Sequence, residues 1–400
     1  MRIYLIGTGM GGKKTLTAEA EKACREAEIF IGAERLINDF SDLKKPVMVS
    51  YRYDEICSFA DTHTEYSCAA VLLSGDISFY SAAKKLREKL KEHEVVPIAG
   101  ISSLSYMCAK LGIDLNDTEA ASLHGKENSF ICRARDSKYT FLLLSDGGDI
   151  KKISDKLCCF GMDGSIIHAG SRLGYDDEHI ISFKPEECPK QLDSPVCVVI
   201  ENQSYADLTG RHIPDSEFIR GSVPMTKSAV RAVSIARLGL GKDSVIYDIG
   251  AGTGSVSIEA SLHSHDIKVY AVEREAEALE LIKKNILKFG ADNIVIVDGE
   301  APYTLECLPP PTHVFIGGSG RKALDIIDAV IKKNPDVRIV MNAVTLDTCS
   351  AVLTAVKRFG LSLETVCINA AESKKAGESM LMMAQNPVYI FTMEAKKNDK

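Results

Sequence analysis

The residues with the clearest chemical potential are three glycines that follow an apolar run and a carboxylate, in VIYDIGAGTG at 245–254. Glycine has no Cβ, so Gly250, Gly252 and Gly254 permit a tight turn and leave the backbone open to a ligand. A helix predicted to begin directly after them would present free N–H groups to an electronegative atom. Nineteen residues past Gly254, Glu273 ends the next strand-like run, where its carboxylate can accept both hydroxyls of a ribose. The pattern predicts a nucleoside-binding site.

The carboxylate just before the glycines helps to distinguish between nucleoside cofactors. Asp248 would repel the pyrophosphate of a dinucleotide, but it can organise the loop around an ammonium group. S-adenosyl-L-methionine (AdoMet) carries a sulfonium and an amino-acid tail in place of a pyrophosphate. The segment VDGEAP at 297–302 closes the third strand-like run of this region, where an adenine would lie. AdoMet is therefore the predicted cofactor.

A second glycine cluster, YLIGTGMGG at 4–12, allows two interpretations. Its glycines fit the G-x-G-x-x-G dinucleotide fingerprint after a strand, which would make this half an NAD-dependent oxidoreductase. The acid expected roughly 20 residues further on would be Glu28 or Glu34. Glu28 precedes its strand and Glu34 follows IGA, so neither is well placed, and the alternative stays open.

The elements that must position these residues divide into two halves. With 400 residues, the chain exceeds the usual size of one core, so two domains are expected. The first half alternates strand-like and helical stretches, which favours an α/β domain with largely parallel pairing in its early part. Its strand-like runs are 3–6, 29–31, 71–73, 95–98, 141–144, 166–169 and 196–200. A polar segment without clear period, 203–227, predicts domains at 1–205 and 206–400.

In the second half a predicted helix leads to seven strand-like runs, separated mostly by helices. The helix is about 226–238 and the runs are 244–249, 268–273, 293–298, 313–317, 338–342, 363–369 and 387–393. The clearest later helix, about 275–289, puts Leu279, Ile282, Ile286 and Phe289 on one face. The apolar MLMMA between the last two runs is too short to predict a helix. This order predicts a Rossmann-like seven-stranded sheet, the architecture of common AdoMet-dependent methyltransferases.

Composition and charge disfavour several classes of protein. No apolar stretch approaches the roughly 20 residues that span a bilayer, so no membrane partner is expected. The net charge of −7 disfavours nucleic-acid binding, because a protein with many phosphate contacts usually presents a basic face. The 12 cysteines are scattered, without a C-x-x-C pair or zinc spacing. They indicate free thiols in a reducing cytoplasm and no metal site.

Longer motifs carry a family resemblance over nearly the whole chain. The second half contains VPMTKSAVRA, YDIGAGTGSVSIEA, AVERE, APYTL, VFIGGSG, NAVTLDT and NPVYIFT, in that order. These segments resemble the decarboxylating precorrin-6 methyltransferase domain of cobalamin biosynthesis. The first half contains LIGTGMGG, LLSGDISFYS, GISSLSYMCAKLG, SLHGK, LSDGG and LGYDDEHI, and it is similar to the usual partner, a tetrapyrrole methylase domain. The chain thus resembles the fused precorrin C5,15-methyltransferase family.

The residues and the resemblance together indicate a set of cofactor positions. They are Thr226, Asp248, Gly250, Ala251, Gly252, Thr253, Gly254, Glu273, Glu300 and Ala301 in the second domain, and Gly7, Gly9, Gly75, Asp76, Ser102 and Ser103 in the first. Two positions depart from the family pattern, since Met10 and Ile77 stand where the loops normally have proline. Each change removes a restraint on φ rather than a functional group, so it bears on loop shape.

The resemblance also implies the chemistry. The second domain would methylate C15 of a precorrin-6B or precorrin-7 type tetrapyrrole and remove the carboxyl group of the ring C acetate, and the first would methylate C5. Methyl transfer from a sulfonium to an electron-rich macrocycle is an in-line displacement that depends on alignment and exclusion of water. It needs neither a metal nor a strong protein base, so no catalytic residue is assigned. Whether the ring already carries cobalt, and which methylation comes first, the sequence does not indicate.

A precorrin carries many carboxylates, so its pocket needs cations and backbone donors. The candidates are Lys227, Arg231, Arg321, Lys374, Lys375 and His124. Two further alternatives to the methyltransferase stay open. A nucleic-acid methyltransferase would typically place an Asn/Asp-Pro-Pro-aromatic box at 317–320, where this chain has GGSG. A non-catalytic tetrapyrrole carrier would bind the macrocycle without consuming AdoMet. A homo-oligomer is expected only by analogy with the family.

Overall fold

A computed structural model describes residues 1–123, 129–144, 149–190, 192 and 196–396. Their contacts divide them into two units, each with its own core. Unit 1 is formed by the described residues of 1–128, 137–158 and 162–205, and unit 2 by those of 129–136, 159–161 and 206–400.

The elements of unit 1 alternate between strands and helices. The strands are β1 (Arg2–Gly7), β2 (Ile29–Gly32), β3 (Val47–Val49), β4 (Cys68–Leu73), β5 (Glu94–Ile98), β6 (Thr118–Ser122), β7 (Tyr139–Leu143), β8 (Ile166–Ser171), β9 (His179–Phe183) and β10 (Val196–Glu201). The helices of this part of the chain are α1 (Ala18–Glu26), α2 (Glu34–Asn38), α3 (Tyr53–Thr62), α4 (Ala83–Lys89), α5 (Ser103–Leu111), α6 (Ile131–Asp136), which belongs to unit 2, and α7 (Asp149–Cys159).

Two five-stranded sheets organise unit 1. The first has the order β3-β2-β4-β1-β5, and all of its pairs are parallel. Apolar side chains of β1 and β4 alternate between its faces, so that α1 and α2 pack on one face and α3 and α4 on the other. The second has the order β6-β7-β10-β8-β9, in which β6 and β7 pair in parallel and the rest antiparallel. The predicted α/β class, with parallel pairing in the early part, is confirmed.

Three strands of unit 1 lie outside the predicted runs, and all three are sheet edges. β3 has only three residues, and its Val47 and Val49 are more than half exposed. β6 reads TEAAS and β9 reads HIISF, with one buried position each. An edge strand has a neighbour on one side only and often buries little, so its sequence carries a weak hydrophobic signal.

Unit 2 contains the predicted seven-stranded sheet. The strands of unit 2 are β11 (Val245–Ile249), β12 (Lys268–Glu273), β13 (Ile294–Asp298), β14 (His313–Ile316), β15 (Arg338–Ala343), β16 (Leu361–Ile368), β17 (Ala371–Ala376), β18 (Ser379–Ala384) and β19 (Val388–Ala395), of which β17 and β18 lie outside that sheet. Its later helices are α8 (Ser228–Leu238), α9 (Ser255–Ser261), α10 (Ala276–Phe289), α11 (Ala323–Lys333) and α12 (Leu346–Phe359). The large sheet has the order β13-β12-β11-β14-β15-β19-β16, with β19 antiparallel to both neighbours.

Helices cover both faces of this sheet. Side chains of α9 and α10 pack with Ile246 and Val269 on one face, and those of α11 and α12 pack with Tyr247 and Ile249 on the other. The predicted apolar face of α10 is wrong at one position, because Leu279 is half-buried whereas Leu281 is buried. The buried stripe also includes Ala278 and Asn285, at the spacings of three and four that a helix brings to one side.

The segment between the last two sheet strands forms a hairpin. β17 and β18 pair antiparallel as a separate two-stranded sheet, and MLMMA lies in β18. The sequence did not predict these strands, since the apolar residues are consecutive rather than alternating. Met380 and Met382 are exposed by 63% and 68%, so this apolar run is not a core element of unit 2.

Candidate functional site

The glycine loop of unit 2 joins β11 to α9, as the sequence predicts. All three glycines have positive φ, of 72°, 58° and 77°, a conformation that side chains with a Cβ rarely adopt. A Cβ at Gly250 would lie 2.6 Å from the carbonyl oxygen of Gly318, and one at Gly252 would lie 2.9 Å from that of Pro224. Backbone freedom and close approach therefore both require glycine here.

Glu273, at the end of β12, holds this loop in place. Its Oε2 accepts a hydrogen bond of 2.9 Å from the backbone N–H of Gly252. Its Oε1 accepts from the N–H groups of Arg274 and Glu275, at 2.8 and 3.1 Å. The side chain is only 9% exposed, yet it lines a cavity. The predicted acid is thus both a support for the glycine loop and a wall of the site.

The cavity has a volume of about 700 Å³, within the usual range for small-molecule sites. It lies at the carboxyl ends of the parallel strands, where the sheet order reverses between β11 and β14. Open α/β sheets bind their ligands at such a switch point, because the loops of the two central strands diverge there. Polar backbone from the glycine loop and from the second glycine segment, 317–320, faces this space.

Most of the predicted cofactor residues of unit 2 meet at this cavity. Those that line it are Thr226, Gly250, Ala251, Gly252, Glu273, Glu300 and Ala301. Thr253 and Gly254 are not among the lining residues: Thr253 is buried and its carbonyl accepts from Asn285 Nδ2, and Gly254 is the N-cap of α9. They shape the loop from behind.

Asp248 differs from its prediction, since it does not reach the cavity. It is 1% exposed, and its Oδ2 accepts a bond of 2.5 Å from the hydroxyl of Ser257 in the first turn of α9. Burial raises the pKa of Asp248 to about 6, against the opposing effect of the Ser257 bond. Asp248 is therefore not a residue that lines the cofactor site; it organises the loop indirectly, by anchoring the helix that follows.

Arg231 is also corrected, because it is not available to a substrate. The side chain is fully buried on α8, and its Nε donates to Glu259 Oε1 at 2.6 Å. Its Nη1 donates to Asp215 at 2.9 Å and to the carbonyl of Thr226 at 2.6 Å, and Nη2 donates to the carbonyl of Ile213. A guanidinium held on two carboxylates and two carbonyls is a structural link beneath the segment that enters α8.

The other predicted cations have different locations. Lys227, the N-cap residue of α8, lines the cavity. Arg321 is exposed and is absent from the lining, and Lys374 and Lys375 are exposed on β17. His124 lies outside the described residues. Lys227 is thus the predicted cation that the structure brings to the cavity.

Charged residues missed in the sequence surround Glu300. Its carboxylate accepts from Arg274 Nη1 at 2.6 Å and from the ammonium group of Lys322. The hydrogen bond from Lys322 and the charges of both cations lower the pKa of Glu300 below its usual value. The sequence AVERE shows that Arg274 is adjacent to Glu273. It does not show the ion pairs with Glu300, since Lys322 comes from the segment after β14.

Neutral polar residues at the opposite side of the cavity were also missed. Asn342, Gln385 and Asn386 line it near the ends of β15 and β19. Asn342 and Asn386 fall within the family-like segments NAVTLDT and NPVYIFT, which was the available signal. Gln385 directly follows the hairpin, and no motif pointed to it.

The predicted site residues of unit 1 also come together, at the carboxyl ends of β1, β4 and β5. The backbones of Gly9 and Gly75 bond reciprocally, at 3.1 and 2.8 Å. Asp76 accepts from the N–H of Gly100 at 2.8 Å, and a Cβ on Gly7 would lie 2.7 Å from that nitrogen. Ser102 caps α5 by accepting from Ser105 N, and Ser103 is the first residue of the helix.

The departure at Met10 has a local explanation. The N–H of Met10 donates to the hydroxyl of Thr15 at 2.9 Å, both residues being buried. A proline has no N–H and would leave that hydroxyl without this bond. In this chain the loop is held by a side chain five residues later instead of by a fixed φ.

The oxidoreductase alternative for unit 1 lacks its acidic residue. Glu28 precedes β2 and accepts from the N–H and hydroxyl of Ser67 at 2.7 and 2.8 Å, which places it at the amino end of the parallel sheet. The glycine cluster lies at the opposite, carboxyl end. Glu34 follows β2 as the first residue of α2 and is exposed. Because β4 lies between β1 and β2, Glu34 is not on the strand next to the glycine cluster, so neither carboxylate is positioned as a dinucleotide fold requires.

Two family models match the chain, one in each part. A model described as "Precorrin methyltransferase domain" matches residues 216–395. A model described as "Tetrapyrrole (Corrin/Porphyrin) Methylases" matches residues 2–188. The two matches do not overlap and together leave few residues outside.

Curated relatives agree with these models. A probable cobalt-precorrin-6B C(15)-methyltransferase (decarboxylating) of Pyrobaculum calidifontis is 42% identical over 186 residues, covering 46% of this chain and 95% of the relative. A precorrin-6Y C(5,15)-methyltransferase [decarboxylating] of Sinorhizobium sp. is 27% identical over 382 residues, covering 92% of this chain and 91% of the relative. A crystal structure of precorrin-6y C5,15-methyltransferase from Geobacter metallireducens is 41% identical, covering 48% of this chain and 100% of that one, with a TM-score of 0.45.

The described residues lack two features, a membrane-spanning helix and a metal-binding cluster. No helix in the described ranges is long and apolar enough to cross a membrane. No group of three or more His, Cys, Asp or Glu side chains in the same ranges is arranged to hold a metal ion.

Proposed function

This chain belongs to the AdoMet-dependent precorrin methyltransferases of cobalamin biosynthesis, and from that premise we propose that it methylates a precorrin at both C5 and C15. The proposal includes a decarboxylation, which the names of two of its relatives contain, and assigns the lost carbon dioxide to the ring C acetate. The observation that carries it is the cavity of unit 2, where the glycine loop, Glu273 and Lys227 meet.

The residues of this cavity fit AdoMet. Glu273 presents its carboxylate at the end of β12, where it would accept the ribose hydroxyls. Gly250 and Gly252 line the cavity with backbone alone, and their loop would hold the amino-acid tail. Ala301 lines the part that would take the adenine. AdoMet supplies a methyl group carried on a sulfonium when it is bound.

The contribution of this chain to the reaction is positional. The macrocycle is the nucleophile, so the walls of the cavity must align its reacting carbon and exclude water. Lys227 would bind a carboxylate of the tetrapyrrole, since it is the cation of the lining that is not ion-paired to Glu300. This assignment of roles needs no protein base.

Unit 1 is proposed as the C5-methylating part, with domains at 1–205 and 206–400. The cofactor loops there would be formed by Gly7, Gly9, Gly75 and Asp76. Their convergence at the carboxyl ends of the parallel strands supports this assignment. We further propose a cytoplasmic enzyme, supported by twelve free cysteines, and a homo-oligomer, by analogy with the family.

Mass spectrometry of the product tests this function. The purified full-length chain would be given AdoMet and precorrin-6B, in cobalt-free and cobalt-loaded forms. We expect two added methyl groups and the loss of one carbon dioxide with one of the two forms. A chain that binds the macrocycle but leaves AdoMet intact would instead be a tetrapyrrole carrier.

A further inference from the structure

One end of the unit 2 cavity is lined by carboxamides rather than by ionised groups. Asn342 lies near the end of β15, and Gln385 and Asn386 lie just before β19. β15 and β19 pair antiparallel, with Asn342 opposite Ile390, so the start of β19 lies beside the end of β15. Glu273, on β12, is three strands away in the sheet order. The three amides therefore share the end of the cavity opposite the ribose carboxylate.

The amide of Asn342 is oriented by α8. Its Oδ1 lies 3.1 Å from the hydroxyl of Ser234, which is fully buried. The single hydroxyl proton of Ser234 is shared in a bifurcated bond between the carbonyl of Val230, one turn earlier in the helix at 2.8 Å, and Asn342 Oδ1. With its oxygen held on α8, the half-buried Asn342 presents Nδ2 as its donor to the cavity.

The cations of the cavity are few and separated. Among the described lining residues they are Lys227 and Arg274. Arg274 follows β12 and donates to Glu300 and Glu275, at 2.6 and 3.2 Å, so its charge is compensated at the Glu273 end. Lys227, the N-cap residue of α8, is the lining cation that is not paired with Glu300. The end of the cavity formed by β15 and β19 is thus lined by three neutral amides.

This distribution matters for a decarboxylation. As carbon dioxide leaves, negative charge moves from the carboxylate into the macrocycle, so a cation paired with that carboxylate would stabilise the state before the reaction. Charge-assisted hydrogen bonds are roughly twice as strong as neutral ones. A neutral amide holds the same carboxylate in place while opposing the departure of its charge less.

We propose that Asn342, with Gln385 and Asn386, forms the subsite of the carboxylate that is lost, and that Lys227 binds a carboxylate that stays. This inference rests on the proposed function. In the step concerned, the bond between the acetate methylene and its carboxyl carbon breaks. The electron pair enters the conjugated ring, carbon dioxide leaves, and the methylene takes up one proton from water to become a methyl group.

Two variants of the full-length chain separate the two subsites. Asn342→Leu keeps a similar volume and removes the donor, so decarboxylation should slow by about tenfold or more, while C15 methylation slows less. A methylated product that retains its carboxyl group should then accumulate in a time course followed by mass spectrometry. Lys227→Gln should instead raise KM by about tenfold and leave the ratio of decarboxylated to carboxylated product unchanged.

Controls keep the outcomes distinct. Asn342→Leu should match the wild type in its affinity for AdoMet and in its melting temperature. A second amide variant, Gln385→Leu, lies in a segment outside the strands. It should shift the product ratio in the same direction by a smaller factor. A wild-type product ratio in both amide variants, or a changed ratio in Lys227→Gln, overturns the subsite. A wild-type chain that consumes no AdoMet with a precorrin overturns the proposed function instead.

Discussion

The two glycine clusters of the chain are similar in sequence and different in structure. In unit 2 the loop leads directly into α9, which begins at Ser255. In unit 1 the glycines at 7–12 are followed by an irregular segment, and α1 begins only at Ala18 with Thr17 as its cap. A G-x-G pattern after a strand therefore does not by itself indicate that a helix follows at once.

What the two units share is a loop held by a carboxylate from a neighbouring strand. Glu273, the last residue of β12, accepts from Gly252 in the glycine cluster, whereas Asp76, after β4, accepts from Gly100 in the loop after β5. In each unit an acid after one parallel strand thereby fixes the backbone of a loop that follows another. If both units bind AdoMet, they do so with similar parts in unlike architectures, and substitutions in one should leave the other intact.

The largest expected effect is that of Gly250→Ala. The new Cβ would meet the carbonyl oxygen of Gly318 at 2.6 Å, at a φ of 72°. Strain and clash of roughly 3 kcal/mol would weaken AdoMet binding in unit 2 by about 100-fold. Calorimetry on the full-length chain should then detect one AdoMet per chain instead of two. Gly360→Ala, at a φ of 65° with open space around it, is the matched control and should retain both.

Gly7→Ala is the corresponding change in unit 1. Its Cβ would lie 2.7 Å from Gly100 N and 2.8 Å from Gly75 O, without an unfavourable φ. We expect about 30-fold weaker binding at that site, from roughly 2 kcal/mol of displacement of the paired loops. The product should carry the C15 methyl group and lack the C5 methyl group. If calorimetry showed both sites weakened, the independence of the two units would be wrong, provided that Gly164→Ala, in open space and without an unfavourable φ, behaves as wild type.

Glu273→Gln should have an intermediate effect. The amide oxygen can still accept from Gly252, but the amide nitrogen cannot accept from the N–H groups of Arg274 and Glu275. The charge that would bind two ribose hydroxyls is also lost. About tenfold weaker AdoMet binding in unit 2, with unit 1 unchanged, is expected from the loss of one charge-assisted interaction. Glu280→Gln, which removes an exposed ion pair with Lys283, serves as the control and should bind like the wild type. Equal affinity in both variants would remove Glu273 from the cofactor site.

Much of this fold, and the elements that form the cavity, could be predicted from local sequence patterns. The buried strands and the loop at 250–254 were visible because apolar runs and glycines mark them directly, and Glu273 because it ends such a run. The edge strand β3 and the hairpin of β17 and β18 were not, since neither buries a continuous face. Hydrophobic periodicity arises because one face of an element is buried, so elements that bury few side chains show little periodicity.

The errors at Asp248 and Arg231 have another cause. Both are charged residues close in sequence to residues that line the cavity, and a charge in such a place is usually assumed to face the ligand. Their partners, Ser257 for Asp248 and Glu259 and Asp215 for Arg231, lie 9 to 28 positions away in sequence. Nothing in one sequence shows that these side chains meet in the core. The direction in which a charged side chain points was therefore a tertiary property.

The variant Asp248→Asn tests, through the pH dependence of stability, the buried carboxyl behind the glycine loop of unit 2. Burial raises the pKa of Asp248 from 3.8 to about 6, so the folded protein holds a proton in the range where the unfolded chain has released it. The contribution of this group to stability is therefore greatest below about pH 4, falls as the pH rises to about 6, and then levels off. The variant has no such group. Urea unfolding without AdoMet should show the stability of the variant relative to the wild type increasing between pH 4 and 6; a constant difference would contradict the buried, partly protonated carboxyl.

The smallest effect is expected at Met10 in unit 1, where a hydrogen bond replaces the restraint of a proline. Thr15→Val removes the acceptor of the Met10 N–H and should lower the free energy of unfolding by about 1 kcal/mol. In a Met10→Pro background the N–H is already gone, so the same threonine change should cost less than in the wild type. An equal cost in both backgrounds would mean that Thr15 stabilises unit 1 through packing alone. The loop of unit 1 would then depend on its glycines and Asp76, as that of unit 2 depends on its glycines and Glu273.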